Sequence, residues 1–540
     1  ITRRARRRFV TGDRISMTQD IATRYALYDE AVYEAISRLE QILGDRLFRR
    51  PIWVQLKELY QDRTADLTDF KLYQTFFNTV SRRLFSTTGV DPAIEFTQTH
   101  GLSASSDQRQ EIINHYRVDP NDQSSVSLLL DSLTSDWPFA DPKAVLKLSE
   151  GLQSKFPLGG DACDLKILKE VFYRAGRAYH VGQLNSIDGN LPIVLVFNAN
   201  QEGVYLEAML STQRELSILF GFTFNYFMAD LDQVEPVVSF LHELLPSKPY
   251  AELYTVLGRV KQGKTERYQA FFDHLSSSGA EPLVEAEGKK GMVMLVFNLP
   301  SYPLVFKLIR DRFAPSKKVT RSDVLERYHL VFRHDRIGRL IDAQEFRELK
   351  IPLSKVSKPL LDVLESECQK VIENTGTDLL IHHCYVERRV RPLDLYLREV
   401  DEVLAERAVL DYGQTIKDLA QSNIFAGDLL PKNFGVTGSG RVIFYDYDEL
   451  RLMSECAFRH WPESTNDVMT LSDEPWFYVG EDDVFPEQFS LFMGLGPKRL
   501  ALLKATHPEI FSPDWWISTQ STLTTGAAID VPPFGAEAHL

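Results

Sequence analysis

Cysteine is scarce in this chain: four in 540 residues, at Cys163, Cys368, Cys384 and Cys456. They stand far apart, with no C-x-x-C and no histidine at metal-ligand spacing. That excludes a zinc module or a disulfide framework and points to a reducing cytosol. Long apolar runs are missing too, none approaching the roughly 18 residues that a membrane span requires. The opening ITRRARRRFV is rich in arginine but has no apolar h-region, so it reads as a solvated helix start and not as a secretory signal. Positive charge is in deficit, with 61 Lys and Arg against 75 Asp and Glu and a net charge of -14. A general nucleic-acid binder is thereby disfavoured. The expectation is a cytoplasmic protein with neither membrane nor nucleic acid as partner.

What is present is ordinary globular composition, 44% hydrophobic and 25% charged, over a length that calls for two to four domains. Residues 1 to about 180 read as helix after helix, with breaks at 103–107 and 157–160. The stretch 71–84 carries Tyr73, Phe76, Phe77 and Val80 as a packing stripe. Near Leu191 the period changes: LPIVLVFNANQEGVYLEAML reads as two strands around a turn at 198–203. Helices resume from Ser211 to about Ser278, and 276–280 reads as a linker. The expected class is α+β: a mostly helical domain over 1–280 with a small β insertion near 191–210, then a second domain over 281–540.

The second half is strand-rich at 291–299 and 304–310, helical at 322–333, and extended again at 379–387. Two helical stretches then lead to IFAGDLLPKNFGVTGSGRVIFYDYDE. Here Asp428 follows a helix, in a loop where a carboxylate can accept a proton from a hydroxyl. Asn433 comes five positions on, and a hairpin turning at 437–440 returns Asp446 beside it. Asn433 and Asp446 offer the hard oxygen ligands that Mg²⁺ prefers. D-x4-N, hairpin, D is the arrangement a protein kinase uses for its base and two metal ligands.

Two stretches compete for a nucleotide. Residues 258–265, GRVKQGKT, fit G-x4-G-K-T, but such a loop must leave a buried strand and open a helix. The lead-in KPYAELYTVLGRV has helical spacing instead, so the match reads as a helix–turn–helix connection. The other is the Gly-containing turn at 286–292, followed by Lys307. Lys307 sits on a strand among Val305, Phe306, Leu308 and Ile309 and is expected to point into a cleft, as a strand lysine contacting phosphates does. Candidates for its acidic partner are Glu326 and Glu345, both expected on helices.

AEGKKGMVMLVF (286–297), KLIRDRFAPSK, HDRIGR and the 424–449 motif together resemble the isocitrate dehydrogenase kinase/phosphatase family. The likeness reaches FFNTVSRRLF and GFTFNYFMAD in the first half and fades after about Trp516. It implies a helical regulatory domain followed by a bilobal protein-kinase-like domain. It also implies one site that phosphorylates, then dephosphorylates, a serine of folded isocitrate dehydrogenase, controlling flux between the citric acid cycle and the glyoxylate bypass. Implied ligands are ATP and ADP, Mg²⁺ with Mn²⁺ as the alternative, and AMP as an allosteric effector; a homodimer stays open.

Carried over by position, Ala286, Glu287, Gly288, Lys289, Lys290, Gly291 and Met292 would be the phosphate loop and Lys307 the phosphate lysine. Tyr385, Val386 and Glu387 would be a hinge holding adenine through its backbone. Asp428 would be the base, with Asn433 and Asp446 on the metal. Asp342 matches the carboxylate associated with the phosphatase step, and Asp448 is a second candidate; on spacing alone Asp342 reads as a helix-terminal surface carboxylate. Ala426-Gly427 before Asp428, Asp446-Tyr447-Asp448 in place of D-F-G, and no A-P-E depart from the usual kinase pattern. A kinase without phosphatase action, a P-loop NTPase and a pseudokinase-like interaction protein are the alternatives.

Overall fold

The computed structural model describes residues 1–97, 110–156, 162–186, 189–221, 226–277, 281–315, 317, 319–334, 338–462, 477–525 and 532–540. Helices α1 (Ala5–Val10), α2 (Arg14–Leu43), α3 (Arg50–Thr64) and α4 (Phe70–Phe85) open the chain. α2 begins where the Asp13 carboxylate accepts a hydrogen bond from Ser16 N at 3.1 Å. In the stripe of α4, Phe77 and Val80 are buried and Phe77 meets Trp53 edge-on at 5.6 Å, whereas Tyr73 remains 38% exposed.

Past α4 the chain departs from the helical expectation. Strands β1 (Ile113–Val118), β2 (Cys163–Leu168), β3 (Phe172–Arg174), β4 (Arg177–Ser186), β5 (Gly189–Ala199) and β6 (Val204–Leu210) form a six-stranded antiparallel sheet. Its order is β1-β2-β4-β5-β6, with β3 beside β4. The β5–β6 hairpin matches the two strands expected there, but the insertion is a whole sheet. β5 is buried on both faces. Ile193, Leu195 and Phe197 of β5 pack with α5 (Gln123–Thr134) and α6 (Ala144–Lys155). Val194 and Val196 pack on the other side with α7 (Gln213–Leu219), α8 (Val234–Leu244) and α9 (Tyr250–Val256). A strand covered on both sides reads as a continuous apolar run, the signal that marks β5 in the sequence. The expected breaks at 103–107 and 157–160, and residues 278–280 of the linker, lie outside the described residues.

The G-x4-G-K-T stretch is a helix–turn–helix. α9 ends before Gly258, at φ +78°, and α10 (Val260–Ser276) begins directly after it. The Arg24 guanidinium fills the turn, donating to Phe227 O and Leu257 O at 2.9 Å each. Gly263 lies inside α10 against Ala251 and Thr255, so no strand feeds the loop and no helix N-terminus opens at Lys264.

The second half is a sheet lobe followed by a helical lobe. Strands β7 (Val284–Glu285), β8 (Met294–Asn298), β9 (Leu304–Ile309), β10 (Gln344–Pro352), β11 (Ile372–Asn374) and β12 (Asp378–Arg388) pair in the order β10-β12-β9-β8-β7, with β11 on β12. Helices α11 (Arg321–His334) and α12 (Lys358–Glu367) accompany this sheet. The helical lobe is built on α13 (Leu393–Glu399) and α14 (Glu402–Gln421), whose Ala405, Val409, Tyr412 and Ile416 enter its core. Two small sheets, β13 (Arg391–Pro392) with β15 (Phe434–Val436) and β16 (Val442–Phe444), and β14 (Ile424–Phe425) with β17 (Arg451–Leu452), sit at the junction. The cleft lies between the two lobes.

Candidate active site

A cavity of about 620 Å³ occupies the cleft. Its lining includes all of 286–292, Lys307, Glu387, Asn433, Asp446 and Asp448. Asp428 and Asp342 are not among the lining residues. Nine Lys or Arg and six Asp or Glu line it, so the cavity is basic in a protein whose net charge is -14. A local cationic surplus of this kind suits a polyanion.

The roof is the turn between β7 and β8. Gly291 is required there, because a Cβ would come within 2.6 Å of Met294 O. Arg391 ties the turn to the opposite lobe, reaching Glu287 at 2.8 Å and also binding Glu399 of α13.

Lys307 is 6% exposed, and its Nζ lies 2.7 Å from Glu387 Oε2 and donates to Tyr445 O at 2.9 Å. The register explains the pair. Lys307 lies opposite Tyr385, and Glu387, two residues along β12, lies diagonally across on the same face. Neither helix candidate serves: Glu326 of α11 is exposed, and Glu345 is on β10, bound to His383 at 3.1 Å. α11 instead contributes Tyr328, stacked on Tyr385 with ring centres 3.9 Å apart. Burial pushes the Glu387 carboxyl up to about 7, against the pull of Lys307.

The expected hinge shifts along the chain. Tyr385 and Val386 are flanked by β9 on one edge and β10 on the other, so their backbone groups are spent in the ladder. Glu387 through Pro392 line the cavity in their place, and Glu387 presents an ion-paired side chain in a position expected to serve through its backbone.

The loop bearing Asp428 is held on both sides. β14 pairs with β17, Asp428 N donates to Ala426 O at 3.0 Å, and the Asp428 carboxylate accepts from Leu430 N at 3.0 Å. Gly427, at φ +75°, sits where a Cβ would strike Glu449 O, so this turn needs glycine. Asn433 Nδ2 donates to Asp428 O at 3.3 Å, and Tyr445 N donates to Asn433 O at 3.1 Å. These two bonds bring Asp428, Asn433 and Asp446 into one corner. Asp428 is half-buried, and Asn433, to whose side chain its carbonyl is bonded, lines the cavity.

Asp446 and Asp448 form the floor. Burial raises the Asp446 carboxyl, with Lys307 and Lys317 pulling it back. Burial and the neighbouring Asp446 push Asp448 up to about 7. Asp448 Oδ1 is buried and has no hydrogen-bond partner among the described residues. Two crowded carboxylates, one with an unpartnered oxygen, beside an amide are a donor set that fits a hard divalent cation. Among the described residues no three His, Cys, Asp or Glu side chains gather into a metal cage.

Asp342 is no helix-terminal surface residue. It precedes β10, is 9% exposed, and its Oδ2 takes hydrogen bonds from Arg267 of α10 and from Gln344, each at 3.1 Å. Sequence reading missed Arg267 and the Lys307–Glu387 pair, since neither is visible before strand register and helix packing are known.

Comparison with known proteins bears on this arrangement. Residues 1–279 match the regulatory-domain model of isocitrate dehydrogenase kinase/phosphatase (AceK), and residues 281–536 match its kinase-domain model. The isocitrate dehydrogenase kinase/phosphatase of Xanthomonas campestris pv. campestris (strain 8004) is 44% identical over 99% of this chain and 93% of that protein. The one from Anaeromyxobacter sp. (strain Fw109-5) is 41% identical over 100% of this chain and 94% of that protein. A solved structure titled "ROP18 kinase domain in complex with AMP-PNP and sucrose" aligns with 48% of this chain and 90% of that one at 12% identity, and its TM-score of 0.24 carries no argument. No helix among the described residues is long and apolar enough to cross a membrane.

Proposed function

The chain belongs to the isocitrate dehydrogenase kinase/phosphatase family, and from that premise we propose that it phosphorylates and dephosphorylates a serine of isocitrate dehydrogenase in one cleft. Residues 1–280 would form the regulatory part, answering to AMP, and 281–540 the catalytic part, acting in the cytoplasm. What supports this reading is the convergence of Lys307, Asn433 and Asp446 on one cavity, with Asn433 hydrogen-bonded to the backbone of Asp428.

A nucleotide with Mg²⁺ or Mn²⁺, when bound, would supply the phosphoryl group for phosphorylation, and the cation would offset charge in either direction. Asn433 and Asp446 would hold the cation, and Lys307, kept in place by Glu387 and Tyr445 O, would hold the phosphates. The turn at 286–292 would close over them, drawn toward the lower lobe by Arg391. Asp428 would orient the serine hydroxyl and take its proton.

For hydrolysis a water needs a carboxylate within reach. Of the two candidates Asp448 lines the cavity and Asp342 does not, so the water falls to Asp448. The test is incubation of the full chain with purified isocitrate dehydrogenase and ATP, AMP being added afterwards. Phosphoserine should appear and then decline on AMP addition. Asp448→Asn should keep the first phase and lose the second. A chain that labels the substrate but never releases phosphate would be a kinase alone.

A further inference from the structure

Asp342 lies outside the cavity yet links the first half of the chain to the cavity floor. On one side, Arg267 reaches it from α10, in the part of the chain before the sheet lobe, and both side chains are buried, at 5% and 10% exposure. On the other side, the backbone of 339–341 is stitched to the strand that carries the floor. Phe444 N donates to Arg339 O at 2.7 Å, Ile341 N donates to Phe444 O at 3.2 Å, and Tyr447 OH donates to Ile341 O at 2.8 Å. Phe444 and Tyr447 flank Asp446, and Tyr447 stands between Asp446 and Asp448 in the chain. Arg339 is anchored in turn by Asp411 and Asp418 of α14, at 2.9 and 2.7 Å. Residues 339–342 are therefore a strap, gripped by Arg267 at one end and bonded to the aspartate-bearing turn at the other.

We propose that Asp342 is a positioning residue and not a reacting one: clamped by Arg267, it sets where Asp446 and Asp448 stand and so governs cation binding for both reactions. The proposal rests on the reading of the cleft given above. Both hydrogen bonds to Asp342 fall on Oδ2, which fixes the orientation of the carboxylate. Glu252 and Glu387 are the negative groups that face it, and Arg267 is the positive group that opposes them. Without Arg267 the carboxylate is left buried among like charges and must take a proton or move, and the strap moves with it. Ile341, its neighbour, lines the cavity, so even a small displacement reaches the site.

The test is calorimetric titration of Mn²⁺ into the ADP-loaded full chain, alongside both activities. Arg267→Met and Asp342→Asn should each weaken Mn²⁺ binding about tenfold, the scale seen when a supporting partner of a metal ligand is lost. Because they cut one pair, the double variant should be no worse than the weaker single. Arg267→Lys, which keeps the charge, should recover most of the affinity, and phosphorylation and dephosphorylation should fall together. The proposal is overturned if both singles bind Mn²⁺ as the parent does, if their losses multiply in the double variant, or if Asp342→Asn abolishes dephosphorylation alone with Mn²⁺ affinity unchanged. Asp446→Asn is the control on the premise: unaltered Mn²⁺ binding in that variant would sink the reading of the cleft itself.

Discussion

Replacing Lys307 with methionine keeps the length of the side chain and removes its charge, leaving Glu387 buried without a cation. Glu387 is 1% exposed, and its Oε1 already lacks a hydrogen-bond partner among the described residues. Breaking a buried pair from one side costs about 3–5 kcal/mol, because the surviving charge stays uncompensated. For a unit of some 250 residues, 3 kcal/mol corresponds to roughly 6–12 °C in thermal midpoint.

The pH dependence has a definite sign. The folded carboxyl sits near 7 and the ordinary value is 4.5, a difference worth roughly 3 kcal/mol. Between those values the unfolded chain releases the proton first, so stability falls as pH rises through that window. Lys307→Met removes the group that pulls Glu387 down, raising its folded value further and extending the fall beyond pH 7. The deficit of Lys307→Met should therefore be larger at pH 8 than at pH 6 in nucleotide-free protein. Lys307→Met with Glu387→Gln removes the stranded charge and should recover most of the midpoint while leaving phosphoryl transfer lost. Scanning fluorimetry at the two pH values is sufficient. A Lys307→Met midpoint within 2 °C of the parent at pH 8, or a double variant as unstable as the single, refutes the argument.

Asp428→Asn should retain ATP binding by calorimetry and lose about 10²–10⁴-fold in phosphorylation rate, the range for removing a general base; undiminished turnover would remove Asp428 from that role. Gly427→Ala places a Cβ against Glu449 O at φ +75° and should lower stability by about 1–3 kcal/mol while also displacing Asp428, seen as a drop in both thermal midpoint and kcat. Lys264→Met, inside α10 and over the Phe346 ring at 4.8 Å, should leave ATP affinity unchanged; loss of binding there would revive the P-loop reading.

The corner made by Asp428, Asn433 and Asp446 was legible because its parts are local. One helix end, one five-residue turn and one hairpin bring the three together within 19 residues of chain. Lys307 was legible for a similar reason, since its strand is apolar on either side of it. The Gly258–Thr265 match could be set aside from helical spacing alone, and Arg24 in that turn gives the packing reason. Less was visible in short strands whose pairing partners lie far off in the chain. In the first sheet, β1 to β3 fell in the stretch read as helices: β1 is largely exposed, and the alternation of β2 spans only six residues.

Sequence by itself determined the α+β class, the basic cleft's lysine and loop, and the Asp-Asn-Asp order, since each depends on residues near one another in the chain. Tertiary structure alone decided that Glu387 pairs with Lys307, that the expected hinge backbone is spent in a ladder, and that Arg267 holds Asp342. Each of these joins residues dozens of positions apart. Strand register and helix docking set such contacts, and both are chosen by the burial of whole faces, which no short window of sequence contains.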